Sequence, residues 1–116
     1  MPDFNHLHVH SQFSLLDGAS SIPGMMKKAK EDVMKAVALT DHGNMFGAFK
    51  FVAEASKHNL KPIVGCEFYL VEDRHKKSFT KEDKDHRYHQ LMLAKNAEGY
   101  RNLTKLCSLG YIEGMY

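Results

Sequence analysis

Between two amphipathic stretches the chain carries a short, nearly unbroken apolar run, Ala36-Val37-Ala38-Leu39-Thr40, followed at once by Asp41-His42-Gly43-Asn44. A short run without alternation suits a parallel strand whose faces are both covered by helices. A parallel neighbour in turn demands a long crossover, usually helical. The flanks supply such crossovers. Upstream, Ser20 and Ser21 offer an N-cap, Pro23 is tolerated in a first turn, and Ile22, Met25, Met26 and Ala29 fall at helical spacing, predicting a helix to about Met34. Downstream, the spacing predicts a helix from about Met45 to His58 that buries Phe46, Phe49 and Val52.

Two more strands are expected on the same grounds. Lys61–Val71 holds the apolar run Ile63-Val64-Gly65-Cys66, with Pro62 at its edge, and Tyr88–Ala94 reads as another strand. Glu98–Leu109 is a helix by its Leu103, Leu106 and Cys107 face, with Gly110 as its stop. Between these last strands, 72–87 holds eleven Asp, Glu, Lys or Arg residues and reads as a solvated loop. The expected class is α/β, with right-handed crossovers between parallel strands in a barrel or an open sheet.

The chemistry starts at Phe4–Ser11, where His6, His8 and His10 alternate with Leu7 and Val9. In a strand that period puts all three imidazoles on one face. Two such rings at i, i+2 can hold one metal ion, a reading that stands ahead of its alternative, a half-exposed strand whose solvent face carries histidine. In parallel α/β folds, reactive groups gather at the carboxyl ends of strands. His8 and His10 end the first strand, Asp17 lies in the loop beyond, Asp41 and His42 follow Thr40, and Glu67 lies near the end of the third strand, on the face opposite Cys66. Mixed nitrogen and oxygen donors suit zinc, manganese or iron rather than calcium. Such ions polarise phosphoryl oxygens and make hydroxide from water at neutral pH.

Each residue has a second reading. Asp17 before Gly18 suits a turn, and Asp41 suits a helix cap or a supporting hydrogen bond more than direct ligation. His42 could be a turn residue. Glu67 in an apolar strand is harder to explain without a charged partner or a metal. His89 precedes Leu91 and Leu93 at strand spacing and suits the core, and it sits at the start of its strand, where no ligand is expected. His6 reads as structural, and His58, His75 and His86 as solvated.

With 116 residues, 43% hydrophobic and 26% charged, the chain suits one globular domain. A net charge of +2 is too slight to argue for nucleic acid, and eight histidines are the outlier. No apolar run approaches bilayer-spanning length, and the start lacks the regions of a signal peptide. Cys66 and Cys107 read as reduced residues of a cytoplasmic protein rather than a disulfide framework.

The stretches Leu7-His8-Val9-His10-Ser11, Leu39-Thr40-Asp41-His42-Gly43-Asn44 and Gly65-Cys66-Glu67 resemble the first three motifs of the PHP (polymerase and histidinol phosphatase) domain. The resemblance extends to the bacterial DNA polymerase III alpha subunits through Ser11–Gly18, Lys61–Gly65, Leu93–Asn96 and Gly99–Leu103. It implies a distorted (β/α) barrel of PHP type, here incomplete, with about four parallel-type strands. It also implies that His8, His10, Asp17, His42, Glu67 and His89 are metal ligands, with Asp17, His42 and Glu67 in catalysis. Some relatives carry arginine in the first motif, whereas both histidines are present here.

The family's domain is about twice as long, in keeping with the ~250 residues of such barrels, so residues 1–116 are expected to be its amino-terminal half. The parent would then make DNA from deoxynucleoside triphosphates, with magnesium in its polymerase part. Its partners would be DNA and other replicase subunits such as a proofreading exonuclease, without a membrane. The domain would be a phosphoesterase, as a 3′–5′ exonuclease or pyrophosphatase, inactive and self-associating as this fragment. The alternatives are a non-catalytic scaffold docking a proofreading subunit and a stand-alone phosphatase of histidinol-phosphate type.

Overall fold

A computed structural model describes residues 4–15, 18–76, 80–82 and 86–114. Its elements run α1 (Ile22–Glu31), β1 (Ala36–Leu39), α2 (Ala48–Lys57), β2 (Lys61–Leu70), β3 (Tyr88–Leu93) and α3 (Ala97–Ile112). The sheet order is β1-β2-β3, with β1 parallel to β2 and β2 antiparallel to β3. The fold is mixed α/β with a parallel strand pair, as the apolar run and its flanking helices require.

The core is where the run leads. Val37 and Leu39 of β1 pack with Ile22, Met26 and Ala29 of α1, with Phe51 and Ala55 of α2, and with Leu60. Ser21 caps α1 by accepting a hydrogen bond from the Gly24 N–H at 3.2 Å. α1 and α2 end alike: Met34 N–H donates to the Ala29 carbonyl at 2.9 Å and Leu60 N–H to the Ala55 carbonyl at 3.0 Å. Val33 and Asn59 take the left-handed conformation these closures need, each at φ 58°. Each helix is thereby turned directly into the strand that follows. No helix among the described residues is long and apolar enough to cross a membrane.

Several expectations are corrected. Three strands form among the described residues rather than four, and they are not all parallel. Phe4–His10 forms no strand and bends at Leu7 and His8; its backbone meets the end of β1 through Val9, whose carbonyl accepts from Thr40 N–H at 2.8 Å. β3 runs antiparallel because 72–87 forms no helix among its described residues, and a connection without a crossover returns the chain as a hairpin. α1 stops at Glu31 rather than Met34. α2 buries Ala48, Phe51 and Ala55, leaving Phe46, Phe49 (89% exposed) and Val52 outward. α3 runs through Gly110 to Ile112 and buries Leu103, with Leu106 exposed. Asp17 lies outside the described residues.

Gly65 sits where the sheet is tightest. A β-carbon there would collide with the Met92 carbonyl oxygen and meet a Leu93 methyl at 2.7 Å. Only glycine lets β3 approach β2 this closely, just before the strand reaches Glu67.

Candidate metal centre

The centre is assembled at the ends of two parallel strands. Beyond the last β1–β2 ladder pair, Leu39 with Val64, the same register continues to a bridge between His42 and Glu67. Glu67 N–H donates to the Asp41 carbonyl at 3.0 Å, and Gly43 N–H donates to the Glu67 carbonyl at 2.8 Å. Gly43 closes this clamp at φ +60°, a conformation that disfavours any side chain. The alternation of an extended strand then sends Glu67 to one face and Cys66 to the other.

The amino-terminal segment is fastened to these strand ends by side chains. Asp41, only 1% exposed, accepts from Ser11 N–H at 2.6 Å and Ser14 Oγ at 2.8 Å through Oδ1, and from Ser11 Oγ at 2.8 Å through Oδ2. Ser14 Oγ in turn accepts from His42 N–H at 3.0 Å. Asp41 is therefore no helix cap, since Gly47 holds that position on α2. It ties the segment bearing His8 and His10 to the loop bearing His42. Sequence reasoning missed Ser11 and Ser14; two serines three residues apart beside a histidine pair were the available sign.

Four imidazoles converge on the Glu67 carboxylate. Oε2 lies 3.2 Å from His8 Nε2, 2.6 Å from His10 Nε2 and 3.1 Å from His42 Nδ1, while Oε1 lies 3.1 Å from His89 Nδ1. The His8 and His10 ring centroids are 5.0 Å apart and those of His10 and His42 3.8 Å apart. Glu67 is 6% exposed, whereas His8 and His89 reach solvent. Burial alone pushes the Glu67 carboxyl up, but hydrogen bonds from His8 and His10 and the charge of His42 outweigh it and hold it below the usual glutamate range.

The antiparallel hairpin explains His89. Its place at the start of a strand suggested the wrong end of the sheet, but reversal of β3 sets the start of that strand beside the end of β2, with His89 opposite Tyr69. The remaining histidines stand apart from this cluster. His6 packs edge-on against Phe4 at 4.9 Å. His58 is more than a solvated ring, since its Nδ1 lies 3.0 Å from the Glu54 carbonyl at the end of α2. His75 lies 3.8 Å from Glu113, and His86 is exposed.

Two overlapping groups result, His8–His10–Glu67 and His42–Glu67–His89, each with its donor atoms within 4.8 Å of one another. Imidazole nitrogens with a carboxylate form the donor set of zinc and similar borderline divalent cations. The residues present fit a divalent metal, with Glu67 common to both groups. Four imidazoles turned onto one buried carboxylate are hard to account for as a surface.

The profile of the PHP domain family matches residues 6–116. Among curated proteins the chain is 51% identical over 116 residues to the DNA polymerase III subunit alpha of Borreliella burgdorferi, covering 97% of this chain and 10% of that protein. It is 52% identical over 114 residues to the same subunit of Treponema pallidum, again covering 97% and 10%. The chain thus spans about a tenth of the length of the curated relatives it matches. A solved amidohydrolase from Chromobacterium violaceum shares the fold at 22% identity and a TM-score of 0.58, over 87% of this chain and 32% of that one.

Proposed function

The chain belongs to the PHP domain family, and from that premise we propose that it is the amino-terminal half of the metal domain of a bacterial DNA polymerase III alpha subunit. The parent protein would copy DNA from deoxynucleoside triphosphates in the cytoplasm, alongside other replicase subunits such as a proofreading exonuclease. Its polymerase part would use magnesium. The length of the polymerase relatives favours this reading over a stand-alone phosphatase.

Within the domain, His8, His10, His42, Glu67 and His89 hold divalent cations, and Asp17 joins them on the strength of the motif it belongs to. Zinc, manganese and iron all suit these donors. Such ions, once bound, make a hydroxide nucleophile available at neutral pH and stabilise charge on a phosphoryl group. The chain's own part is to fix the rings before the ion arrives: the clamp at Gly43 sets Glu67 and His42, and Asp41 sets the segment that carries His8 and His10. Asp17, His42 and Glu67 would then serve hydrolysis of a phosphoester, at a 3′ end or in pyrophosphate. The complete domain is a distorted barrel, of which the parallel pair and the β2–β3 hairpin form one part.

The observation that carries this reading is the single carboxylate contacted by four imidazoles. Calorimetric titration of the chain with zinc or manganese should show weak or fractional loading, because further family ligands would come from the other half of the barrel. No binding at all would overturn the metal centre, and tight full loading would overturn the missing half.

The uncovered apolar surface supports self-association of the chain by itself. Phe49 and Ile112 are 89% and 80% exposed, with Phe46 and Leu106 also outward. Light scattering should read a dimer or larger species; a monomer at micromolar concentration would refute this.

A further inference from the structure

A sequence separation of 41 gives no sign that Cys66 and Cys107 meet, yet the fold sets their sulfurs 3.9 Å apart. Both are free thiols, Cys66 wholly buried on β2 and Cys107 partly buried on α3. We propose that Cys66 and Cys107 are a reversible disulfide pair that fastens α3 to the strand carrying Glu67. The two sulfurs are already in van der Waals contact, so closing to a bond of about 2.05 Å needs only a small approach of helix and strand. α3 can make that approach, because Leu103 is its one fully buried side chain among the described residues. Two small buried residues would pack equally well without sulfur, but a facing thiol pair of this kind is the form that transient intracellular disulfides take.

The exposure of the two residues sets the order of events. With hydrogen peroxide as the two-electron oxidant, the Cys107 sulfur attacks one peroxide oxygen and the O–O bond breaks. A sulfenic acid forms, and the departing hydroxide leaves as water with the thiol proton. The Cys66 sulfur then attacks the Cys107 sulfur. The S–S bond forms as the S–O bond breaks, and a second water leaves with the Cys66 proton. Two thiols lose two electrons and two protons, and one peroxide becomes two waters. A dithiol reductant reverses the bond by exchange.

The bond would join a loosely held helix to the residue adjoining Glu67, making the attachment of α3 responsive to oxidant. The test uses the full chain treated with hydrogen peroxide and mapped by mass spectrometry under non-reducing conditions. The expected product is a Cys66–Cys107 cross-linked peptide, two hydrogen masses lighter than its two thiol components, restored by dithiothreitol and absent from Cys107→Ser. Hydrogen exchange of the α3 amides should slow on oxidation. Recovery of both residues as free thiols, or of Cys107 as sulfinic acid without a cross-link, would overturn the pair. A cross-link that leaves α3 exchange unchanged would overturn the fastening. Mapping of the unsubstituted chain decides the first question even if Cys107→Ser does not fold.

Discussion

Replacement of Asp41 by alanine is expected to lower folding stability by about 3–5 kcal/mol, because it strands several buried donors at once. Ser11 N–H, Ser11 Oγ and Ser14 Oγ all donate to this one carboxylate. All three donors are withdrawn from bulk solvent, since Ser11, Ser14 and Asp41 are buried. A loss of that size is a large share of a small domain's stability. Asp41→Asn keeps an acceptor oxygen and the shape of the side chain, so it should cost less than half as much. Urea or thermal denaturation measures both. A midpoint for Asp41→Ala within about 1 kcal/mol of the parent would mean that the serines are held by something else.

Substitution of Glu67 should act on metal rather than chiefly on the fold. Changing a group that only supports a ligand commonly costs 10–100-fold in affinity, and Glu67 is a donor shared by both candidate sites. Glu67→Gln is therefore expected to weaken zinc or manganese binding by more than about 100-fold, read by titration or by metal content after dialysis. Retained affinity would remove Glu67 from the centre. In the full-length protein, Glu67→Asn separates two roles for the domain. Lost nuclease activity with intact polymerisation favours hydrolysis, whereas lost folding or partner binding favours a scaffold.

The same variant should alter acid sensitivity. The Glu67 carboxyl is held below its ordinary value in the folded chain. Its contribution is therefore complete above an unfolded value of about 4.3 and disappears as pH falls through the lower folded one. Glu67→Gln should lose that acid-side dependence.

What the sequence disclosed depended on whether a residue's environment was local. The apolar run at Ala36 and the strand through Gly65 were legible, because burial on both faces leaves a mark on every position. The meeting of His42 with Glu67 was legible from their places beside the ends of paired strands, where parallel sheets gather side chains, whereas His8 and His10 reach the same carboxylate from a segment that forms no strand. α2 misled because Phe46, just before it, and Phe49 and Val52 within it form an apolar stripe at helical spacing while the core takes Ala48, Phe51 and Ala55. Spacing states that a helix has an apolar stripe; only the packing partners decide which stripe is covered. The serines that anchor Asp41 and the meeting of Cys66 with Cys107 depend on contacts 27 to 41 residues apart, which no local pattern records.

The hairpin has an evolutionary consequence. Glu67 and His89 are placed by the β2–β3 ladder itself, from Gly65 with Leu93 to Leu70 with Tyr88. That ladder holds them whatever the length of the connection between the strands, and doubling such a span costs only about 0.6 kcal/mol in closure entropy. Lineages could lengthen, shorten or recharge that stretch to suit a new neighbour while the chemistry stays put. It is a place in this chain where an epitope could be spliced without touching that ladder.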